Sequence, residues 1–257
     1  MSFQGKVVVI TGGGSGIGET AAARLLERGA RVIINGRRED VLARTAKRLD
    51  QAGDRVRAVA GDIASPATAK RLVETAEREF GSVDILINNA GIFSPKPFIE
   101  HSEEDFDTYV AIILKGTFFA SQAVIPSMRR RGGGAIVNVG SMWGSQAIGA
   151  TPSSAYSAAK AGVHALTKNL AIELAADHIR VNAVAPAVVQ TPVYDSFLPA
   201  AQVETVLHSF DAFHPLGRIG QPQDVVSALL FLAGEEASWI TGAVLPVDGG
   251  VMAGRNT

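Results

Sequence analysis

The chain has 257 residues, 47% of them hydrophobic, and a formal net charge of −1. That size fits one large α/β domain with a substantial core, and the near-neutral balance gives no electrostatic case for nucleic acid or an anionic membrane as a partner. Cysteine is absent from the sequence, which excludes disulfides and thiolate metal sites.

The N-terminal stretch MSFQGKVVVITGGG has no basic segment followed by a long apolar core, so it does not read as a secretory signal. No uninterrupted apolar run reaches membrane-spanning length, and the expectation is a soluble cytoplasmic protein. Residues 6–10 form a short β-branched run, the pattern of a strand buried on both faces. The run feeds TGGGSGIG at 11–18 and then an Ala-rich amphipathic stretch at 19–28. Glycines between a strand and a helix let the backbone turn tightly and approach a pyrophosphate at the helix N-terminus. The second strand, 31–34, ends in NGRR. An acidic residue usually stands about here when the free 2′-hydroxyl of NAD is bound. This chain has Arg37 and Arg38 instead, whose planar fork of donors suits a 2′-phosphate. NADP is therefore expected over NAD.

Helix, strand and loop repeat at 39–51, 56–60 and 61–63, which sets Asp62 just past a strand end. Pro66 opens a helix running to about Phe80, and 84–87 is a fourth strand leading into NNAG at 88–91. Those two amides are expected to tie neighbouring strands together at least as much as to line a ligand. Residues 103–130 read as one long helix and 135–139 as a fifth strand, followed by Ser141.

A helix over 153–174 comes next, with Leu166, Leu170 and Leu174 on one face and Ser153 or Ser154 as N-cap. Tyr156 and Lys160 stand four apart near its start, neighbours on the helix surface. A cation beside a phenol favours the phenolate, so Lys160 is expected to pull the Tyr156 pKa down from its usual ~10. A phenol so tuned passes a proton to or from a substrate oxygen. A sixth strand at 180–184 leads into a partly apolar stretch reaching about 220, the expected lid or substrate wall. A helix at 224–232, a last strand at 243–247 and DGG close the chain. Strands alternate with helices throughout and no linker or repeat divides them, which predicts a single-domain, doubly wound parallel sheet of about seven strands with helices on both faces.

Taken in order, TGGGSGIG, Asp62, NNAG, Ser141, YSAAK and the closing DGG resemble the short-chain dehydrogenase/reductase family over essentially the whole chain. The resemblance implies a Rossmann-type fold, a nicotinamide cofactor, and hydride transfer between that cofactor and a carbonyl or secondary alcohol carbon. It implies Tyr156 as general acid/base, Lys160 as the residue that lowers its pKa and binds the nicotinamide ribose, and Ser141 as the holder of the substrate oxygen. The implied cofactor contacts are Gly12, Gly14, Ser15, Gly16, Ile17, Gly18, Arg37, Arg38, Asp62, Ile63, Asn89, Ala90, Gly91, Tyr156, Lys160, Pro186, Val189 and Thr191. Within that set, Asp62 would meet the adenine and Thr191 the carboxamide. A homotetramer is implied too, packed through the 103–130 and 154–174 helices with the C-terminal strand as a second interface.

Three departures from the family pattern stand out. Ile113 replaces an asparagine that supports a water chain to the lysine, Ala187 follows Pro186 where glycine is usual, and the loop from Ser141 to Tyr156 is longer. Ile113 motivates an alternative reading, a nucleotide-binding scaffold or regulatory protein without turnover. Phe93, Met142, Trp143, Ile148, Val188, Tyr194 and Phe197 flank the expected site and predict a largely apolar substrate pocket. Ketoacyl thioesters, cyclic ketones, steroid-like alcohols and, least favoured, sugars all remain open. The five histidines show no ligand-like spacing, and no metal is expected.

Overall fold

β1 (Val7–Thr11) is buried along its whole length and lies between β2 (Arg31–Gly36) and β4 (Ile85–Asn88), parallel to both. The computed structural model describes residues 2–149 and 151–254. Its sheet has seven strands, all paired in parallel in the order β3-β2-β1-β4-β5-β6-β7. The remaining strands are β3 (Val56–Ala60), β5 (Gly134–Val139), β6 (Ile179–Pro186) and β7 (Val244–Val247). Side chains alternate across a strand, so Val8 and Ile10 join one core layer while Val7 and Val9 join the other. The first layer is closed by α1 (Gly16–Glu27), α2 (Glu39–Leu49) and α8 (Pro222–Ala233). The second is closed by α3 (Pro66–Phe80), α5 (Gly116–Arg130) and α6 (Ser154–Glu173). This is the doubly wound Rossmann arrangement expected from the alternation of elements. Its strand order reverses between β1 and β4, which opens a crevice at their carboxyl ends.

The expected long helix at 103–130 is continuous but not uniform. α4 (Glu103–Tyr109) passes through a π-helical turn, Val110–Lys115, into α5, and the Gly116 N–H reaches back to the Ala111 carbonyl. Ile113 sits in that turn, buried against Tyr109, Ala155, Ala159 and Val163. By length and composition alone, helix Glu103–Arg130 is apolar enough to cross a membrane. Its Ala120, Val124 and Met128 are buried in the second core layer, where the helix packs on α3.

α6 is the helix read over 153–174, with its N-cap at Ser153. The buried stripe runs through Ala155, Ala159, Val163, Thr167 and Ala171, while Leu166 and Leu170 are only half-buried. Ala155, Ala159 and Val163 of that stripe pack on Tyr109 and Ile113, while Ala171 joins the second core layer. Ser153 does occupy the N-cap position, but its hydroxyl meets Ser157 Oγ at 3.3 Å instead of capping the first turn.

The stretch after β6 also holds an element the sequence did not reveal, α7 (Ala200–His208), between short 3₁₀ turns. A parallel bridge closes the base of this excursion, with Gln190 N–H on the Gly220 carbonyl and Gly220 N–H on the Val188 carbonyl, both at 2.9 Å. The closing DGG packs beneath its far end. Gly249 and Gly250 adopt φ of 62° and 95°, and a Cβ on Gly250 would lie 3.0 Å from Pro215.

Candidate functional site

Thr11 ends β1 and organises the crevice floor. Its hydroxyl accepts the N–H groups of Asn89 and Ala90 at 3.0 and 3.1 Å. The Asn89 amide in turn donates to the carbonyls of Thr11 and Gly12, at 3.1 and 2.9 Å. Asn88 donates to Ser121 Oγ and Asn138 Oδ1, and Asn138 donates to Thr167 Oγ1. The two asparagines are thus the strand ties the sequence reading anticipated, joining β1, β4, β5 and α6. Gly12 takes φ of 66° in this turn, and a Cβ there would lie 2.8 Å from the Ala90 backbone. Ser15 stands at the N-cap of α1 but its side chain does not cap the first turn.

A cleft of about 850 Å³ runs along the carboxyl ends of the strands. Of the anticipated contacts, Gly12, Gly14, Ser15, Gly16, Ile17, Arg37, Arg38, Asn89, Ala90, Gly91, Pro186, Val189 and Thr191 line it, together with Ser141, Tyr156 and Lys160. Arg37 and Arg38 are exposed at the end of β2 and make no ion pair among the described residues. Gly18, Asp62 and Ile63 are not among the residues that line the cleft. Gly18 instead packs inside the turn, where a Cβ would meet the Gly12 carbonyl oxygen at 2.3 Å. Asp62 accepts the Ala64 N–H at 2.9 Å in its own turn. Ile63 is buried against α5, close to Gly116.

Phe93, Trp143 and Tyr194 line the cleft, as does Ala187 with the methyl that replaces glycine. Met142, Ile148, Val188 and Phe197 are not among its lining residues, and the first three pack in an apolar cluster with Trp143, Tyr156 and Tyr194. Phe197 stands one ring back, 5.7 Å from Phe93 between centroids.

Ser141, Tyr156 and Lys160 converge. The Ser141 hydroxyl accepts the Trp143 N–H at 3.3 Å and lies near enough to the Tyr156 phenol to lower its pKa. Lys160 Nζ donates to the Val139 carbonyl at 2.6 Å and lies 5.6 Å from the centre of the Tyr156 ring. Burial pushes the Tyr156 phenol up to about 12, against a smaller lowering by Ser141. Burial also brings Lys160 down to about 8. The expected depression of Tyr156 by Lys160 is therefore overturned. An enclosed phenol resists ionisation, and the ammonium spends its hydrogen bond on a backbone carbonyl.

Tyr109 went unnoticed in the sequence, and His164 was read only as one of five solvated or core histidines. Tyr109 faces the Tyr156 ring at 6.1 Å and locks the Ser94 backbone, donating to its carbonyl at 2.8 Å and accepting its N–H at 2.9 Å. His164, one turn beyond Lys160, lies under the loop that carries Ser141. Its Nε2 accepts the Ser141 N–H at 3.4 Å, which places the ring proton on Nδ1, 3.2 Å from Ser145 Oγ. A Cβ on Gly140 or Gly144 would lie 2.3 or 2.8 Å from the imidazole, so these two glycines make its berth. Helical i, i+4 spacing from Lys160 was the available signal, but nothing local pointed to a backbone 23 residues away.

A family model described as enoyl-(acyl carrier protein) reductase matches residues 12–252. The cis-4-hydroxycyclohexanecarboxylate dehydrogenase of Sinomonas cyclohexanicum is 42% identical over 253 residues, spanning 98% of both chains. The 3-oxoacyl-(acyl-carrier-protein) reductase of Thermotoga maritima is 38% identical, over 98% of this chain and 100% of the relative. Among solved structures, a short-chain type dehydrogenase/reductase from Mycobacterium marinum superposes with a TM-score of 0.91 at 30% identity, covering 98% of each chain. This oxidoreductase belongs to the short-chain dehydrogenase/reductase family.

Proposed function

We propose that the protein is an NADPH-dependent carbonyl reductase, or the reverse secondary-alcohol dehydrogenase, with Tyr156 as its general acid/base. One observation carries the reading: Ser141, Tyr156 and Lys160, whose Nζ lies 5.6 Å from the phenol ring centre, line the same cleft as the glycine loop and Arg37. The cleft residues fit a dinucleotide phosphate. The α1 amides suit a pyrophosphate, and the two uncommitted guanidinium groups suit a 2′-phosphate. When bound, NADPH supplies a hydride, so that ketone, NADPH and a proton give secondary alcohol and NADP⁺.

The chain's own residues supply the rest. The Ser141 and Tyr156 hydroxyls are the donors to a substrate oxygen that gains negative charge. Tyr156 then gives up its phenolic proton. A phenol at about 12 remains far more acidic than an alcohol, whose pKa is near water's ~15.7, so the raised value leaves reduction feasible. Alcohol oxidation needs the phenolate, so its rate is expected to climb with pH through the alkaline range. Lys160 is the cation beside the phenol and stays protonated below its lowered pKa of about 8. The bridged segment between Val189 and Gly220 acts as a lid over the reacting end. A homotetramer accompanies this reading, supported by the exposed Phe106, Phe118 and Ile172 on the two helices expected at the interface.

Titration with NADPH and NADH, followed by oxidation of the bound cofactor by a ketone panel, tests the reading. Arg37→Ala is expected to weaken NADPH binding ~10- to 100-fold while leaving NADH nearly unchanged, the worth of one charged hydrogen-bond contact. Equal effects on both cofactors would remove the NADP assignment. Tight binding with no turnover across the panel would favour the scaffold reading.

A further inference from the structure

We propose that the substrate is a ring ketone, or the matching ring alcohol, that carries no anionic group. The proposal rests on the reductase reading and concerns what the reacting end of the cleft admits. Four sequence segments bring aromatic rings together there. Phe93 follows β4, Trp143 follows β5, Tyr156 lies on α6, and Tyr194 and Phe197 follow β6. Phe93 is the hub, with ring centroids 5.0 Å from Tyr156, 5.7 Å from Phe197 and 6.2 Å from Trp143, while Tyr194 lies 5.8 Å from Phe197. Aromatic faces and edges at such spacings pack best against another flat or alicyclic ring.

The charge around this end points the same way. Three cations line the cleft, and two of them, Arg37 and Arg38, follow β2. That strand lies three positions from β5, whose end leads to Ser141. At ~4.8 Å per strand the separation is about 14 Å. The third, Lys160, is buried and donates to the Val139 carbonyl at 2.6 Å. The segment after β4 (92–108) carries one lysine, and it does not line the cleft. That lysine, Lys96, is paired with Asp105 at 2.6 Å. No Lys or Arg occurs from 181 to 217, and Asp195 itself lines the cleft. A carboxylate brought here would be desolvated without a partner and repelled by its surroundings. A nucleotide thioester or an acidic carrier protein would meet the same barrier. The chain thereby separates from relatives whose names specify an acyl carrier protein or a cyclohexanecarboxylate.

A matched pair of probes isolates the charge: methyl 4-oxocyclohexanecarboxylate and its free carboxylate, reduced with NADPH at low ionic strength, with acetoacetyl-CoA as a third probe. The ester is expected to exceed the acid at least ~10-fold in kcat/KM, from the uncompensated ion, and to exceed acetoacetyl-CoA. The ester's lead is expected to shrink in high salt as the rim is screened. An acid or CoA thioester reduced as well as the ester would overturn the substrate class and leave the reductase reading standing. A second readout is independent of turnover. Trp143 and Trp239 are the two tryptophans, and Trp239 is 99% exposed. In Trp239→Phe loaded with NADP⁺, Trp143 emission should respond to the ester and not to the acid. Ester binding without turnover would support the substrate class and sink the reductase reading, whereas no response and no turnover would overturn both.

Discussion

Tyr156, Lys160 and His164 descend one face of α6 at four-residue steps, and their chemistry differs because their partners do. Lys160 touches a backbone carbonyl, Tyr156 lies near Ser141, and His164 holds the backbone from which Ser141 projects. Burial, with Lys160 and Lys168 adding to it, brings His164 down to about 4. Its folded pKa lies below the ordinary ~6.5, so the unfolded chain binds more protons between those values. Stability is therefore expected to fall as pH drops through that window, by on the order of 2 kcal/mol from this group. Urea midpoints at pH 7 and 4.5 should show that loss in the wild type and a shallower one in His164→Leu, and parallel curves would contradict the assignment. The Tyr156–Lys160 pair was legible because both sit on one helix turn. The shift in Tyr156 was misread because a sequence shows a neighbouring cation but not the enclosure that opposes it. Ile113 was legible as a departure, and its apolar surroundings give it a packing role. Ile113→Asn should cost ~1–3 kcal/mol in denaturant unfolding for an unpartnered buried amide.

Among the elements, the glycine loop separates two kinds of glycine that the motif alone presents as equivalent. A Cβ on Gly18 would lie 2.3 Å from the Gly12 carbonyl oxygen and 2.5 Å from Asn89 Nδ2, whereas one on Gly14 would only touch a Leu42 methyl at 3.4 Å. Gly18→Ala is expected to destabilise by ~1–3 kcal/mol, because the obstacle includes backbone that cannot swing aside. Gly14→Ala should stay within ~0.5 kcal/mol of wild type. Equal unfolding midpoints for the two variants would refute that distinction. Strand positions were readable from β-branched runs, and each falls within about two residues of the observed limits. α7 was not readable, since its apolar Val203 and Leu207 pack into a separate small cluster and carry no strong helical period. Nor did the sequence announce the π turn before Gly116, whose geometry depends on packing against Ile63 and α6.

At the scale of the whole molecule, the reversal of strand order between β1 and β4 does most to place the chemistry. It brings the glycine loop, NNAG, the Ser141 loop and the segment after β6 to one edge of the sheet. The topology was legible from the alternation of strand and helix. What escaped was how the segment after β6 is moored, because its anchors pair Val188 with Gly220 and Leu216 with Gly249 across long separations. Every step of the proposed reaction meets at the Tyr156 phenol. The deciding measurement is the rate of NADPH oxidation with methyl 4-oxocyclohexanecarboxylate by wild type and Tyr156→Phe. Loss of a general acid predicts a fall of ~10²- to 10⁴-fold with cofactor affinity retained. Comparable rates in the two proteins would show that the proton comes from elsewhere.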